Sequence, residues 1–273
     1  MILGKWRRRV AFVTGALLLV FVAATAPVCA QALDESGSSS EQAVTQADKE
    51  ALLRLAQANV RARGGLGAID RLNSVRVRGV IRQGALESQL IVLKKRPDMI
   101  RVETRAGGRE TYVAYDGERA WLWTNDPAAV PQELEGLERR LLGLQARFAG
   151  ALDNLSLLRV LAYQEVPTTD GAGIEFYRVR LGLSDGSYQD IFIDGETFLE
   201  QRVELYALEG ESPLVTLYDD YRTISGYPVA HRVTSVFDGE TLSETTVEDV
   251  RFNLGVIPTL FRPPATKAYG AEK

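Results

Sequence analysis

Hydrophobic positions change their period twice along this chain. Over residues 10–26 they run almost unbroken, interrupted by Thr14 and Gly15. Over 48–63, Leu52, Leu55, Ala56 and Val60 recur at the spacing of a helix that buries one face. Asp48 is placed to cap that helix, and Gly64-Gly65 ends it. From Ser74 the period is two: Val75, Val77 and Ile81 alternate with Arg76, Arg78 and Arg82, as in a strand with one buried face. Similar short runs follow at 88–95, 97–105, 109–115 and 119–124. They resume at 158–165, 174–181, 187–193, 198–208, 214–224, 229–237 and 242–252. Turn residues separate them, among them Gly107-Gly108, Asp116-Gly117, Asp185-Gly186, Asp194-Gly195 and Asp238-Gly239. Asp-Gly between alternating runs is a strong hairpin signal, so the pattern predicts an antiparallel meander.

One segment breaks the series. Over 131–153, Leu134, Leu137, Leu141, Leu144 and Phe148 step by three and four residues, with charged residues between them. This predicts an amphipathic helix inserted between two halves of the meander. Several strands keep one charged face, Arg101, Glu103 and Arg105 in one and Glu200, Arg202 and Glu204 in another, with Ile100, Val102, Leu199, Val203 and Leu205 opposite. The sheet therefore has one wet and one apolar side. A sheet of about eleven strands curls, and two helices are thin cover for its apolar side, which implies a cavity. The expected fold class is mainly β with α: a strongly curved antiparallel sheet with a small helical lid.

Composition adds the destination. Lys5, Arg7, Arg8 and Arg9 precede the apolar run, and small residues follow it at Val28-Cys29-Ala30 and Ala30-Gln31-Ala32. Together these read as a secretory signal peptide over 1–32, with cleavage after Ala30 or Ala32; an uncleaved anchor is the other reading. The Ser-, Gly- and Gln-rich stretch 33–47 is a flexible leader, residues 48–266 form a single domain, and 267–273 are a tail. Losing those four positive charges takes the net charge from −4 to −8. An acidic chain is poorly suited to nucleic acid or to anionic lipid surfaces. Cys29 is the one cysteine and leaves with the signal, so no disulfide is expected.

Candidate chemistry is sparse. His231 is the one histidine and lies in an alternating run, where a structural role is expected. With no mature cysteine there is no clustered ligand set for a metal. Asp219-Asp220 point to opposite faces if extended, and Gly64-Gly65-Leu66-Gly67 follows a helix and precedes a strand, the reverse of a phosphate loop. No catalytic residue, metal or cofactor is expected, and the chain reads as a non-enzyme. Trp121 and Trp123 share one strand face, as core or cavity wall.

Three segments carry a resemblance: Lys95-Arg96-Pro97-Asp98-Met99-Ile100-Arg101-Val102-Glu103, Ala114-Tyr115-Asp116-Gly117-Glu118-Arg119-Ala120-Trp121-Leu122-Trp123, and Leu260-Phe261-Arg262-Pro263-Pro264. In that order they resemble the periplasmic lipoprotein-carrier family, the LolA/LolB-like proteins, including those called outer-membrane lipoprotein-sorting proteins. The resemblance implies a half-barrel whose helices close an apolar cavity for acyl chains, in a monomeric periplasmic carrier. Its partners would be acylated lipoprotein or lipid cargo, an inner-membrane donor and an outer-membrane acceptor. It also implies that Arg96 bonds lid carbonyls and keeps the empty cavity shut; read from the residues alone, Lys94-Lys95-Arg96 is equally a solvated strand end. Cavity and lid candidates are Arg96, Trp121, Trp123, Leu137, Leu141 and Phe148. The alternative is a sensor or regulatory module, RseB-like, that binds an envelope protein and ferries nothing.

Overall fold

The computed structural model describes residues 44–148, 150, 152, 159–183, 186–206 and 212–263. The predicted signal peptide, most of the predicted leader and the tail lie outside them. In chain order the elements are α1 (Gln46–Ala62), α2 (Leu66–Arg71), β1 (Ser74–Gln83), β2 (Leu86–Lys95), β3 (Met99–Ala106), β4 (Arg109–Tyr115), β5 (Ala120–Thr124) and β6 (Gln132–Leu134). Then come α3 (Gly136–Ala146), β7 (Arg159–Pro167), β8 (Ile174–Gly182), β9 (Tyr188–Asp194), β10 (Glu200–Tyr206), β11 (Leu214–Ile224), β12 (Tyr227–Phe237), β13 (Glu240–Phe252) and a 3₁₀ turn (Pro258–Phe261). The strands form one sheet in the order β6-β5-β4-β3-β2-β1-β13-β12-β11-β10-β9-β8-β7. Chain neighbours are sheet neighbours except for β6 and β7, which stand at the two ends of the order, and β1 lies instead beside β13. The expected class holds, mainly β and antiparallel, with a strand or two more than the pattern predicted.

The chain packs as two compact units. One holds Leu72–Phe148 and the residues from Val247; the other holds α1, α2 and Ala149–Thr246. In the second unit, Leu52, Leu55 and Ala56 of α1 pack with Val179 and Leu181 of β8 and Ile191 and Ile193 of β9. Burying each large aliphatic side chain contributes about 1.5–3 kcal/mol, so this face is what holds α1. The helix begins before the predicted Asp48. Thr45 is its N-cap, and Asp48 closes a capping box in which its side chain accepts from the Thr45 N–H. At the other end Asn59 Nδ2 donates to the Phe198 carbonyl at 2.8 Å. The short α2 was not predicted; Tyr227 Oη donates to its Ala68 carbonyl at 3.0 Å.

The opposite face of β8–β10 is charged and aromatic, as expected, with one correction. A bulge lies between Glu200 and Arg202, so Glu200 pairs with Ile193 while Arg202 pairs with Phe192. The extra residue turns Glu200 onto the apolar side, where it is buried, and only Arg202 and Glu204 keep the charged face predicted for all three. On that face Asp190 is fully buried and accepts from Arg178 and Arg180. Arg180 lies over Tyr188 and Arg202 over Phe192, at 4.3 and 3.9 Å. The guanidinium groups thus cover the rings while staying paired with Asp190 and Glu204.

Candidate functional site

The first unit sets α3 on one side of its strands. Successive side chains of a strand point to opposite faces, and antiparallel partners share one. The pairings Val75–Lys94, Lys94–Ile100, Ile100–Tyr115 and Tyr115–Ala120 therefore place these residues on one face. Val77, Val92, Val102 and Val113 line the same face one step along. Helix α3 covers it: a Cβ at Gly143 would meet the Tyr115 ring at 3.6 Å, and Leu141, Leu142 and Ala146 are buried. Burial holds the Tyr115 hydroxyl above its ordinary pKa, with Asp98 adding to it.

At the end of α3 the apolar face meets two cations. Lys94 is 2% exposed, and its Nζ donates to the Arg147 carbonyl at 2.5 Å. Arg96 Nε donates to the Leu72 carbonyl at 2.5 Å, and its own N–H to the Asn73 carbonyl at 2.9 Å. Both lie against the buried Phe148 ring, Lys94 Nζ at 5.1 Å and Arg96 Cζ at 5.0 Å from its centre. Sequence reading singled out Arg96 and Phe148, which meet here, and Leu141, which is buried on α3. It missed Lys94, grouped with the solvated strand end. The available signal was parity: Lys94 has the same pleat phase as Leu90 and Val92.

The other predicted residues fall elsewhere. Trp121 and Trp123 do share a face, but it is not the face of α3. They pair with Ala114 and Tyr112, which pair in turn with Arg101 and Glu103. There Trp123 stacks on Tyr112 at 5.2 Å, Arg101 lies over both rings and Arg119 over Trp121. In Ala-Trp-Leu-Trp-Thr every inner residue is apolar, so hydropathy could not tell the two sides apart. The Leu137 side chain lies outside what the structure describes. His231 is buried on β12, its Nδ1 2.9 Å from the Val229 carbonyl oxygen. Asp219 and Asp220 each engage their own arginine, Arg232 and Arg222.

The quoted motifs converge in this unit. Asp116 accepts the N–H groups of Glu118 and Arg119 at 3.0 and 2.8 Å and the Arg262 Nε at 2.7 Å. Burial opposes its charge, but those N–H groups and Arg262 more than offset this and hold its carboxyl below the usual range. Arg101 donates to the Leu260 carbonyl at 2.8 Å, and Phe261 is fully buried. A separate groove of about 400 Å³ near the β3–β4 turn includes Glu87, Gln89, Arg105, Arg109 and Glu110, a polar lining that does not suit an acyl chain. Among the described residues no helix is long and apolar enough to cross a membrane, and no cluster of three metal-ligating side chains occurs.

The architecture is LolA-like. Solved structures that share it include a LolA superfamily protein from Nitrosomonas europaea, 16% identical over 76% of this chain and 97% of that one, with a TM-score of 0.53. A DUF1329 family protein from Desulfovibrio piger is 15% identical over 77% and 97%, with a TM-score of 0.53. A candidate outer membrane lipoprotein-sorting protein domain from Vibrio parahaemolyticus is 14% identical over 78% and 96%, again at 0.53. At these identities the likeness is one of fold. No family model matches the sequence, and no curated protein matches it.

Proposed function

We propose that this chain is an exported periplasmic carrier, without catalytic activity, that shelters the acyl chains of lipoproteins or lipids on their way to the outer membrane. The observation that carries this reading is the placement of α3 over the apolar face of β3–β5, with Lys94 bonded to the Arg147 carbonyl at the end of the helix and Arg96 lying against Phe148 beyond it. A 16-carbon chain exposed to water costs roughly 12 kcal/mol at about 0.8 kcal/mol per CH₂, so a carrier needs an apolar surface that can be covered and uncovered. Cargo would take the place of α3 side chains when the contacts at Arg96, Leu141 and Phe148 give way, a shift between closed and open arrangements. The LolA-like fold supports the same reading.

Native mass spectrometry of the exported chain, purified gently from periplasm and paired with lipid extraction, tests it. A bound mass that extracts as acyl lipid or lipopeptide is expected. A clean apo mass, unchanged after incubation with acylated peptide, would overturn the carrier reading and favour a protein-binding module.

A further inference from the structure

We propose that the inner face of β10–β13 within the second unit binds a neutral, hydroxyl-rich group, the sugar head of a glycolipid or a free sugar. The site involves neither α3 nor the residues beneath it, and it does not rest on the acyl-carrier reading. Strand register builds it. Val203 pairs with Thr216, Thr216 with Ser235 and Ser235 with Ser243; one step along, Tyr218 pairs with Val233 and Val233 with Thr245. Antiparallel partners share a face, and Val203 packs with the apolar cluster under α1, so these side chains lie on the inner face. Thr216 is 1% exposed, and Ser235, Ser243 and Thr245 are 2% each. Under α1 the same face carries Val179, Leu181, Ile191 and Ile193; across β11–β13 hydroxyls stand among the aliphatic groups.

Among the described residues, none of those four hydroxyls makes a hydrogen bond. A buried hydroxyl without a partner is costly, and most buried polar side chains have one. A row of four therefore points to partners from outside the chain. Two acceptors stand at its β10 end. The β10 bulge brings Glu200 onto this face, where it is buried; burial, and after it the Glu200 charge, holds the Tyr218 hydroxyl above its ordinary pKa. Asn59, in the last turn of α1, is fully buried. Its Nδ2 bonds the Phe198 carbonyl just ahead of β10, and its Oδ1 accepts nothing. Together these groups decide the class of ligand. Ser, Thr and Tyr hydroxyls donate and accept, whereas a carboxylate and an amide oxygen only accept. A polyol answers both, because each of its hydroxyls does both. An anionic head would meet the Glu200 charge, and a peptide main chain pairs with a strand edge rather than with a face of side chains. Water held here is displaced at little loss by a ligand that repeats its hydrogen bonds.

Calorimetric titration of the exported, delipidated chain with methyl β-glucoside, octyl β-glucoside and octyl triethylene glycol tests this. The two octyl compounds share a tail and differ in whether the head carries a set of hydroxyls. Octyl β-glucoside should bind at least about tenfold tighter than octyl triethylene glycol. Binding of methyl β-glucoside as well identifies a free sugar as the ligand, and binding of the octyl glucoside alone identifies the head of a glycolipid. Thr216→Val combined with Thr245→Val removes two hydroxyls at nearly constant volume and should bring the ratio of the octyl affinities below about threefold. Should that pair fail to fold, Ser243→Ala should lower the ratio by about threefold. Equal affinity of the two octyl compounds for the wild type overturns the site and leaves the acyl-carrier reading standing. A ratio that the substitutions leave intact, or failure of both glucosides to bind, overturns it as well.

Discussion

Asp116 shows how one residue can join distant parts of the sequence. Its Oδ1 ties the turn to β5 through the Glu118 and Arg119 N–H groups, and its Oδ2 holds Arg262 near the C-terminus. The carboxylate is nearly buried while Arg262 is largely exposed, so the charge matters chiefly at the Asp116 end. Its pKa is lower in the folded chain than the roughly 4 of an unfolded Asp. Stability from this group is therefore full above that value and lost as pH falls through the lowered one. Asp116→Asn should lower the urea midpoint at pH 7 by an amount equivalent to about 1–3 kcal/mol. The gap from wild type should narrow as pH falls below the roughly 4 of an unfolded Asp; a gap of constant size throughout the acid range would show that the charge is not what matters. The Asp-Gly turn itself was legible, and Gly117, with φ of +101°, explains why glycine follows Asp116. The bond to Arg262 was not, because nothing local in the sequence links residues so far apart.

Among the elements, legibility followed length. Long strands with clean alternation, such as β1 and β11, were predicted to within a few residues. β6 was absorbed into the following helix because Leu134 and Leu137 stand at helical spacing. Gly136, at φ of +57°, separates strand from helix there, and only the backbone shows it. The bulge in β10 could not be read either, since a single inserted residue leaves hydropathy unchanged while reversing which side Glu200 faces. For α1 the predicted buried face is correct and the predicted cap is three residues late: Thr45 and Asp48 form a reciprocal pair, and Asp48 alone mimics a cap. This sorts the forces on α1. Thr45→Ala removes one cap at about 1 kcal/mol, whereas Leu55→Ala opens the core against β8 and β9 at about 2–5 kcal/mol. Chemical denaturation should rank Leu55→Ala clearly below Thr45→Ala. Equal losses would mean that the cap, rather than packing, holds the helix.

At the scale of the whole molecule, net charge and apolar surface do different work. The hairpin pairings and the LolA-like architecture were foreseeable from turn signals and three short motifs, but the placing of β1 beside β13 was not, because no local signal joins strands so far apart in the sequence. The location of positive charge was not foreseeable, because burial of Lys94 depends on α3 lying over its face. The chain is acidic overall, at −4, so its long-range field repels anionic cargo. The acyl-carrier reading puts the cargo chain against the apolar face under α3, where burial rather than charge supplies the affinity. Binding of an acylated peptide should then change less than about threefold between roughly 0.02 and 0.3 M sodium chloride. Titrations across that range test it, and a steep loss of affinity with salt would place the peptide on surface charges instead of under α3.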